Sequence, residues 1–306
     1  MTRPAQPSTV FVVNPASANG ATGKRWPEMA HRAAAAGVQG DTFTSSGPGG
    51  VAQLARRAAD DGADLVVVVG GDGTVHEAIN GLADASAELG IIPMGTGTDF
   101  VRTFGIPTKL DSALEVLVNG GTRTIDVGKV EYRAWEGGSG RAYFANVASA
   151  GMSGAVAQRA NATTKALGGR VSFLWATLAV FARWQNSEVS VDLDSERRQG
   201  RMLDVVVANG QYLGGGMRMC PEAVPDDGLF DVLLIGDITK RDLALTLPKV
   251  YRGTHLPHPK AEALRARTVT VDAPVPLPIE LDGEQPGTTP VRFEVVPGAL
   301  RLRVPA

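Results

Sequence analysis

A chain of 306 residues, 43% hydrophobic and 20% charged, is long enough for two domains, each with a buried core. Thirty basic against 32 acidic residues leave a net charge of −2, which argues against a nucleic-acid partner. The lone cysteine, Cys220, excludes an internal disulfide, and the apolar stretch in MTRPAQPSTVFVVNP is too short for a signal peptide or membrane span. A cytoplasmic protein is expected.

The first third alternates strand-like and helix-like segments. Thr9 to Val13 predicts a strand ending at Asn14-Pro15, Arg25 to Ala36 a helix, and Asp41 to Thr44 a short strand. Gly49 to Asp61 has helical apolar spacing. Leu65 to Val69 holds five apolar residues, four of them β-branched, as a strand buried on both faces does. A helix is expected from Thr74, and Leu89 to Pro93 reads as the next strand, before the glycine loop GTGTDF. Such alternation implies parallel strands joined by right-handed crossovers, with ligands at the carboxyl ends of the strands. The loops NPAS, GGDGT and GTGTDF all fall there.

After an expected helix, Asp111 to Asn119, the texture changes. Thr122 to Tyr132, Arg141 to Val147, Glu188 to Leu193, Met202 to Ala208, Phe230 to Ile235, Thr268 to Val271 and two segments after Val291 read as strands separated by Gly, Pro and Asp turns. The expected architecture is therefore an α/β domain over residues 1–126 and a mainly β domain over residues 127–306. Leu174 to Ala182 belongs to an apolar helix too short to span a bilayer, fit for a core or for lining a lipid entrance.

The run LVVVVGGDGTVHE, Leu65 to Glu77, is the most informative. Gly70, Gly71 and Gly73 allow close approach of a bulky anion, and the helix after them offers free N–H groups and its dipole. Asp72 lies in the turn, where a carboxylate repels phosphate unless a cation intervenes, so the run points to a metal–nucleotide site. A single GGDG is also an ordinary turn sequence; three such loops at one sheet edge are not.

NPAS at Asn14–Ser17, GGDGT at Gly70–Thr74, PMGTGTDF at Pro93–Phe100, PDDGLFDV at Pro225–Val232 and LDGE at Leu281–Glu284 together resemble the diacylglycerol-kinase catalytic family, which includes bacterial lipid kinases and the sphingosine and ceramide kinases. The resemblance runs from about Thr9 to Val304. It implies a nucleotide-binding α/β domain, a β-sandwich domain and an active site in the cleft between them. It also implies ATP and Mg²⁺ as cofactors, a diacylglycerol-like membrane lipid as acceptor, transient contact with the inner membrane face, and leaves a homodimer open. Residue by residue, Asn14, Pro15, Ser17 and Ser45 match nucleotide-loop positions, Gly71, Asp72, Gly73, Thr74 and Glu77 the phosphate loop, and Gly95 and Thr96 the third loop. Asp72 and Asp99 match acidic positions near the catalytic magnesium, and Asp227 with the carbonyls of Val224 and Leu229 matches a structural magnesium site.

The sequence departs from the family where Ala18 and Asn19 replace a glycine and a base, Thr98 replaces Asn, and His76 stands where bacterial members commonly have Asn. HEAINGL resembles sphingosine kinases and keeps a sphingoid or ceramide acceptor open. For proton removal LDGE offers Asp282 and Glu284, which share one face if the segment is extended. The resemblance assigns the base to Glu284, with Asp282 as rival or partner. His255 and His258 have no third ligand nearby, and Cys220 no evident partner. Lys249, Arg252, Lys260, Arg265 and Arg267 are either a solvated basic face or an attraction for anionic head groups. The expected activity is ATP-dependent phosphorylation of a lipid hydroxyl; a soluble-metabolite kinase of the NAD-kinase type and a non-catalytic nucleotide binder are the rivals.

Overall fold

Strands β1 (Thr9–Val13), β2 (Asp41–Thr44), β3 (Leu65–Gly70) and β4 (Glu88–Pro93) pair in parallel in the order β2-β1-β3-β4 in a computed structural model of the chain, which describes residues 8–95, 97–162 and 179–306. Helices α1 (Ala21–Ala35), α2 (Gly50–Asp60) and α3 (Asp72–Leu82) make the crossovers. Because β1 is followed by β2 on one side and β3 lies on the other, the sheet has its switch point between the ends of β1 and β3. Both sheet faces are buried, as the aliphatic strands require: Phe11, Val13, Val67 and Val69 meet Met29 of α1 and, further along, Leu114 and Leu117 of α5 (Leu110–Asn119). The alternate residues Val12, Val66 and Val68 are equally buried, as are Val51 and Ala55 of α2 and Ile79 of α3.

The chain divides into two compact units, Met1–Ile125 with Gly298–Ala306, and Asp126–Pro297. The last nine residues thus depart from the expected second domain of residues 127–306. The reason is pairing: in the final strand Arg301 and Leu302 lie beside Glu88 and Leu89 of β4, in parallel. Glu88, buried, binds Arg301 at 2.9 Å and Arg303 at 2.8 Å, which fastens the strand to the first unit. A short helix, α4 (Asp99–Thr103), comes after the third loop and has no clear signal in the sequence.

The second unit is built from β5 (Gly121–Ala134), β6 (Ser139–Phe144), β7 (Val147–Gly151), β8 (Ser187–Leu193), β9 (Glu196–Ala208), β10 (Tyr212–Leu213), β11 (Met217–Arg218), β12 (Phe230–Gly236), β13 (Ala261–Ala266), β14 (Thr268–Asp272), β15 (Ile279–Leu281) and β16 (Gly287–Val304), the first and last of these being shared with the first unit. The first half of β9 pairs with β8, which continues to β14 and β16; its second half pairs with β12 on one side and β7 on the other. The two groups of strands enclose one apolar layer in which Phe144 stacks on Phe230 at 5.5 Å and meets Phe293 edge-on at 6.0 Å. This is the expected sandwich. Among the described residues it is interrupted by α6 (Met152–Ala162) and α7 (Lys240–Arg252), neither of which the apolar periodicity marks, and by a helical stretch over residues 179–183. The apolar helix expected over Leu174 to Ala182 lies mostly outside the described residues. Among the described residues no helix is long and apolar enough to cross a membrane.

Asp204 of β9 sits in this core and accepts the N–H of Ser153 at 2.9 Å, at the start of α6, as well as the Ser153 hydroxyl. Burial pushes its carboxyl up to about 6, against the Ser153 hydrogen bonds, which lower it. A folded-state value above the unfolded one gives a contribution to stability that is complete below about pH 4 and lost as the pH rises through 6. Urea titrations should therefore show Asp204→Asn gaining up to about 3 kcal/mol on the parent between acid and neutral pH. A stability difference that stays flat across that range would rule out the buried acid.

Candidate active site

The three glycine-bearing loops of the first unit are brought together by strand register. Val13 lies beside Val69, and Val69 beside Ile92, so β1, β3 and β4 end at one level. Asn14 N–H donates to the Val69 carbonyl at 3.1 Å, and its side-chain amide donates to the Thr74 hydroxyl at 3.0 Å, which ties the first loop to the second. Ser17 donates through its hydroxyl to the Asn14 carbonyl and stands close to the Thr22 hydroxyl, 2.6 Å away; Gly23 of α1 packs on Pro15. Ser45, buried, closes the loop after β2 by bonding the Gly47 carbonyl at 3.0 Å.

The second and third loops touch backbone to backbone. A Cβ at Gly95 would lie 2.8 Å from the Cα of Gly71, so only glycine lets them approach this closely. Helix α3 begins at Asp72 rather than at Thr74, so Gly73 and Thr74 lie in its first turn and the Asp72 carboxylate stands at the helix N-terminus. It accepts the Phe100 N–H at 3.3 Å, which sets the starts of α3 and α4 side by side, with Asp99 in the first turn of α4. Thr98 takes the left-handed backbone, φ +59°, as do Ala18 and Asn19, so these three departures from the family's residues fall at turns. Thr96 lies outside the described residues. Glu77 is turned elsewhere: its carboxylate accepts the Val51 N–H at 3.0 Å at the head of α2.

In the second unit LDGE is not an extended segment. Leu281 and Glu284 exchange both backbone hydrogen bonds, at 2.8 and 2.9 Å, and Asp282 and Gly283 have φ of +50° and +95°. This is a two-residue hairpin turn, which Asp-Gly favours over alternation. The two carboxylates consequently part. Asp282 points back into the fold and accepts the N–H groups of Ala145, Asn146 and Val147, each at 3.0 Å, while Glu284 is exposed. Beneath the turn lies Glu280, which the motif does not include. It is buried, accepts the Gly283 N–H, and has the Ser149 hydroxyl 3.3 Å away; burial pushes its carboxyl well above the usual range. Its one signal in the sequence is a carboxylate set between Ile279 and Leu281, immediately before the Asp-Gly turn.

The PDDG turn is docked on Asp126. Asp126 donates its N–H to the Pro225 carbonyl at 2.8 Å and accepts the Gly228 N–H at 2.7 Å. Asp227 accepts the Leu229 N–H at 3.0 Å and forms an ion pair with Arg265. The positive charge beside Asp227 is thus a guanidinium, and a magnesium ion held by Asp227 with the Val224 and Leu229 carbonyls would have to displace Arg265. Asp72 and Asp99 fit magnesium better, since two carboxylates completed by phosphate oxygens are how that ion is commonly held. Among the described residues no three His, Cys, Asp or Glu side chains cluster as a metal site. His255 is buried, its Nε2 3.0 Å from the Met219 carbonyl, and Cys220 is buried with its thiol pushed up by desolvation. A cavity of about 300 Å³, walled by Phe181, Trp184, Leu203 and Leu243 with Lys240 and Lys260, includes none of the motif residues.

Comparison with known proteins agrees with this anatomy. The family model for the diacylglycerol kinase catalytic domain matches residues 8–130, and that for the YegS C-terminal NAD kinase beta sandwich-like domain matches residues 146–304. The chain is 31% identical over 298 residues to a diacylglycerol kinase of Mycobacterium tuberculosis (strain ATCC 25618 / H37Rv), covering 96% of this chain and 94% of that protein. It is 26% identical over 285 residues to a diacylglycerol kinase of Staphylococcus carnosus (strain TM300), covering 92% and 90%. A crystal structure of a diacylglycerol kinase from Bacillus anthracis str. Sterne shares the fold with a TM-score of 0.74 at 22% identity, over 99% of this chain and 98% of that one. Two matching domain models and a relative aligned over nearly its whole length place the chain in the diacylglycerol kinase family.

Proposed function

We propose that the protein transfers the γ-phosphoryl group of ATP to the hydroxyl of a membrane lipid such as diacylglycerol. The observation that carries this reading is the meeting of the three loops at one sheet edge, with Asp72 and Asp99 at adjoining helix starts. Asn14, Pro15, Ser17 and Ser45 border the nucleotide, Gly71, Gly73, Thr74 and Gly95 cradle its phosphates with backbone N–H groups, and Thr96 keeps the nucleotide contact that the resemblance gives it. Glu77 serves by anchoring α2 behind the loop. Asp72 and Asp99 would hold magnesium, which would supply neutralising charge for the phosphoryl oxygens.

Glu284 is the general base. As the lipid oxygen forms its bond to phosphorus and the bond to ADP breaks, the hydroxyl proton passes to the Glu284 carboxylate. Asp282 is a positioning residue: three N–H donors hold the turn from which Glu284 projects. Membership of the kinase family favours phosphoryl transfer over mere nucleotide binding. The likeness of the second domain to NAD kinase makes NAD the necessary comparison acceptor.

Separate measurements test the base, the loops and the acceptor. Glu284→Gln should lower kcat by about 10²–10⁴ with little change in Mg-ATP affinity or thermal midpoint. Asp282→Asn should instead cost about 2 kcal/mol of stability, because it leaves buried N–H groups poorly matched; normal turnover in both variants and their double would remove proton transfer from this turn. Calorimetry on Gly95→Val should show Mg-ATP affinity reduced at least about tenfold in a folded protein, since the side chain must push the two loops apart. In a labelled-ATP assay offering diacylglycerol, ceramide, sphingosine and NAD, label should enter diacylglycerol; label in NAD alone would overturn the acceptor class.

A further inference from the structure

Helix α7 presents two unlike faces. Its inner side is apolar and accounted for: Val250 joins the buried cluster of Val206, Leu233 and Cys220, and Leu243 packs against the cluster around Met152 and Leu203. Thr239 caps the start, its hydroxyl and backbone exchanging hydrogen bonds with Asp242, and Gly253 ends it in the left-handed conformation. The helical repeat then turns Arg241, Leu245, Lys249 and Arg252 to the opposite side, where all four are exposed. Leu245 is 65% exposed and Tyr251 47%, two of the six exposed large hydrophobics among the described residues.

The charge of this outer side is of one sign. Among the described residues none of Arg241, Lys249 and Arg252 forms an ion pair. The helix's single acid, Asp242, is occupied by the Thr239 cap and lies 4.0 Å from Lys260. A solvated helix face of ordinary composition would intersperse acids with its bases. Three unpaired cations around an exposed leucine, with a tyrosine at the edge, match the needs of an anionic bilayer surface: phosphate groups for the cations and the head-group boundary for the apolar side chains. Free phosphate or nucleic acid would leave Leu245 unexplained.

We infer that the outer face of α7, Arg241, Leu245, Lys249, Tyr251 and Arg252, docks on a bilayer carrying anionic lipid. The inference rests on the lipid-kinase reading for its biological sense, and adds to it the surface that delivers the enzyme to its acceptor. The same helix carries its buried side in the core of the second unit, so docking needs no rearrangement of that core.

The test compares vesicles of phosphatidylcholine with vesicles doped with phosphatidylglycerol, by sedimentation of the full chain. The triple variant Arg241→Gln, Lys249→Gln, Arg252→Gln should lose on the order of 100-fold in partitioning to the doped vesicles, from about fivefold per cation, with a shallower salt dependence. Leu245→Asn should lose about tenfold while keeping the salt dependence of the parent. All these side chains are exposed, so thermal midpoints should match the parent's. Turnover on a short-chain diacylglycerol dispersed as monomers should be unchanged in the triple variant, whereas turnover on doped vesicles should fall. Binding of the triple variant equal to the parent's, or a parent indifferent to phosphatidylglycerol, would overturn the assignment. So would light scattering that found a dimer dispersed by the triple variant, since a second copy would then cover the face. If no lipid is phosphorylated yet binding still depends on the three cations, the acceptor reading fails and the docking surface stands.

Discussion

Parallel register at the ends of β1, β3 and β4 is the constraint on which the rest of the first unit depends. A strand shifted by one residue would turn Val12, Val66 and Val68 to the opposite face and displace its loop by about 3 Å. The aliphatic runs cannot tolerate that, because both faces are covered by helices. Burial of these valines therefore sets the level at which Asn14, Gly70 and Met94 leave the sheet. The chemistry of the loops is fixed by apolar packing several residues away from it.

Carboxylates recur in this fold as clamps on backbone N–H groups. Asp282 gathers three of them, Asp126 holds the 225–228 turn through Gly228, Glu77 takes the first turn of α2, and Asp72 reaches Phe100. Each such bond is charge-assisted and roughly twice as strong as a neutral one. Several motif acids thereby acquire a mechanical role beside any chemical one. Glu284 is different: among the described residues no hydrogen bond or ion pair holds its side chain, which is exposed.

Much of this is legible in the sequence where local rules suffice. Runs such as LVVVV and TVFVV name their strands by β-branched content, and the glycine loops are marked by the helical patterns after them. Local reading fails where two signals compete. In LDGE the alternation of carboxylates suggests an extended strand, but Asp-Gly is also the strongest hairpin dipeptide, and the paired Leu281 and Glu284 let the turn win. Helix α7 escapes notice because Pro248 interrupts its sequence and Val250 is its one buried residue, so the apolar stripe is thin. The return of Arg301 to Glu88 is out of reach for another reason: it joins positions 213 residues apart, and no local pattern records such a partner.

That return has a consequence for how the molecule is made. The first unit is discontinuous, with residues 126–297 inserted between its body and its closing strand. During synthesis Glu88 of β4 emerges 213 residues before Arg301, the first of the two arginines that neutralise it. Until then the nascent domain carries an unpaired sheet edge with a carboxylate beside it, a template for stray strands. The inserted unit, by contrast, has its strands in one continuous stretch of chain. Order of translation and order of completion are thus reversed: the first unit is begun first and closed last.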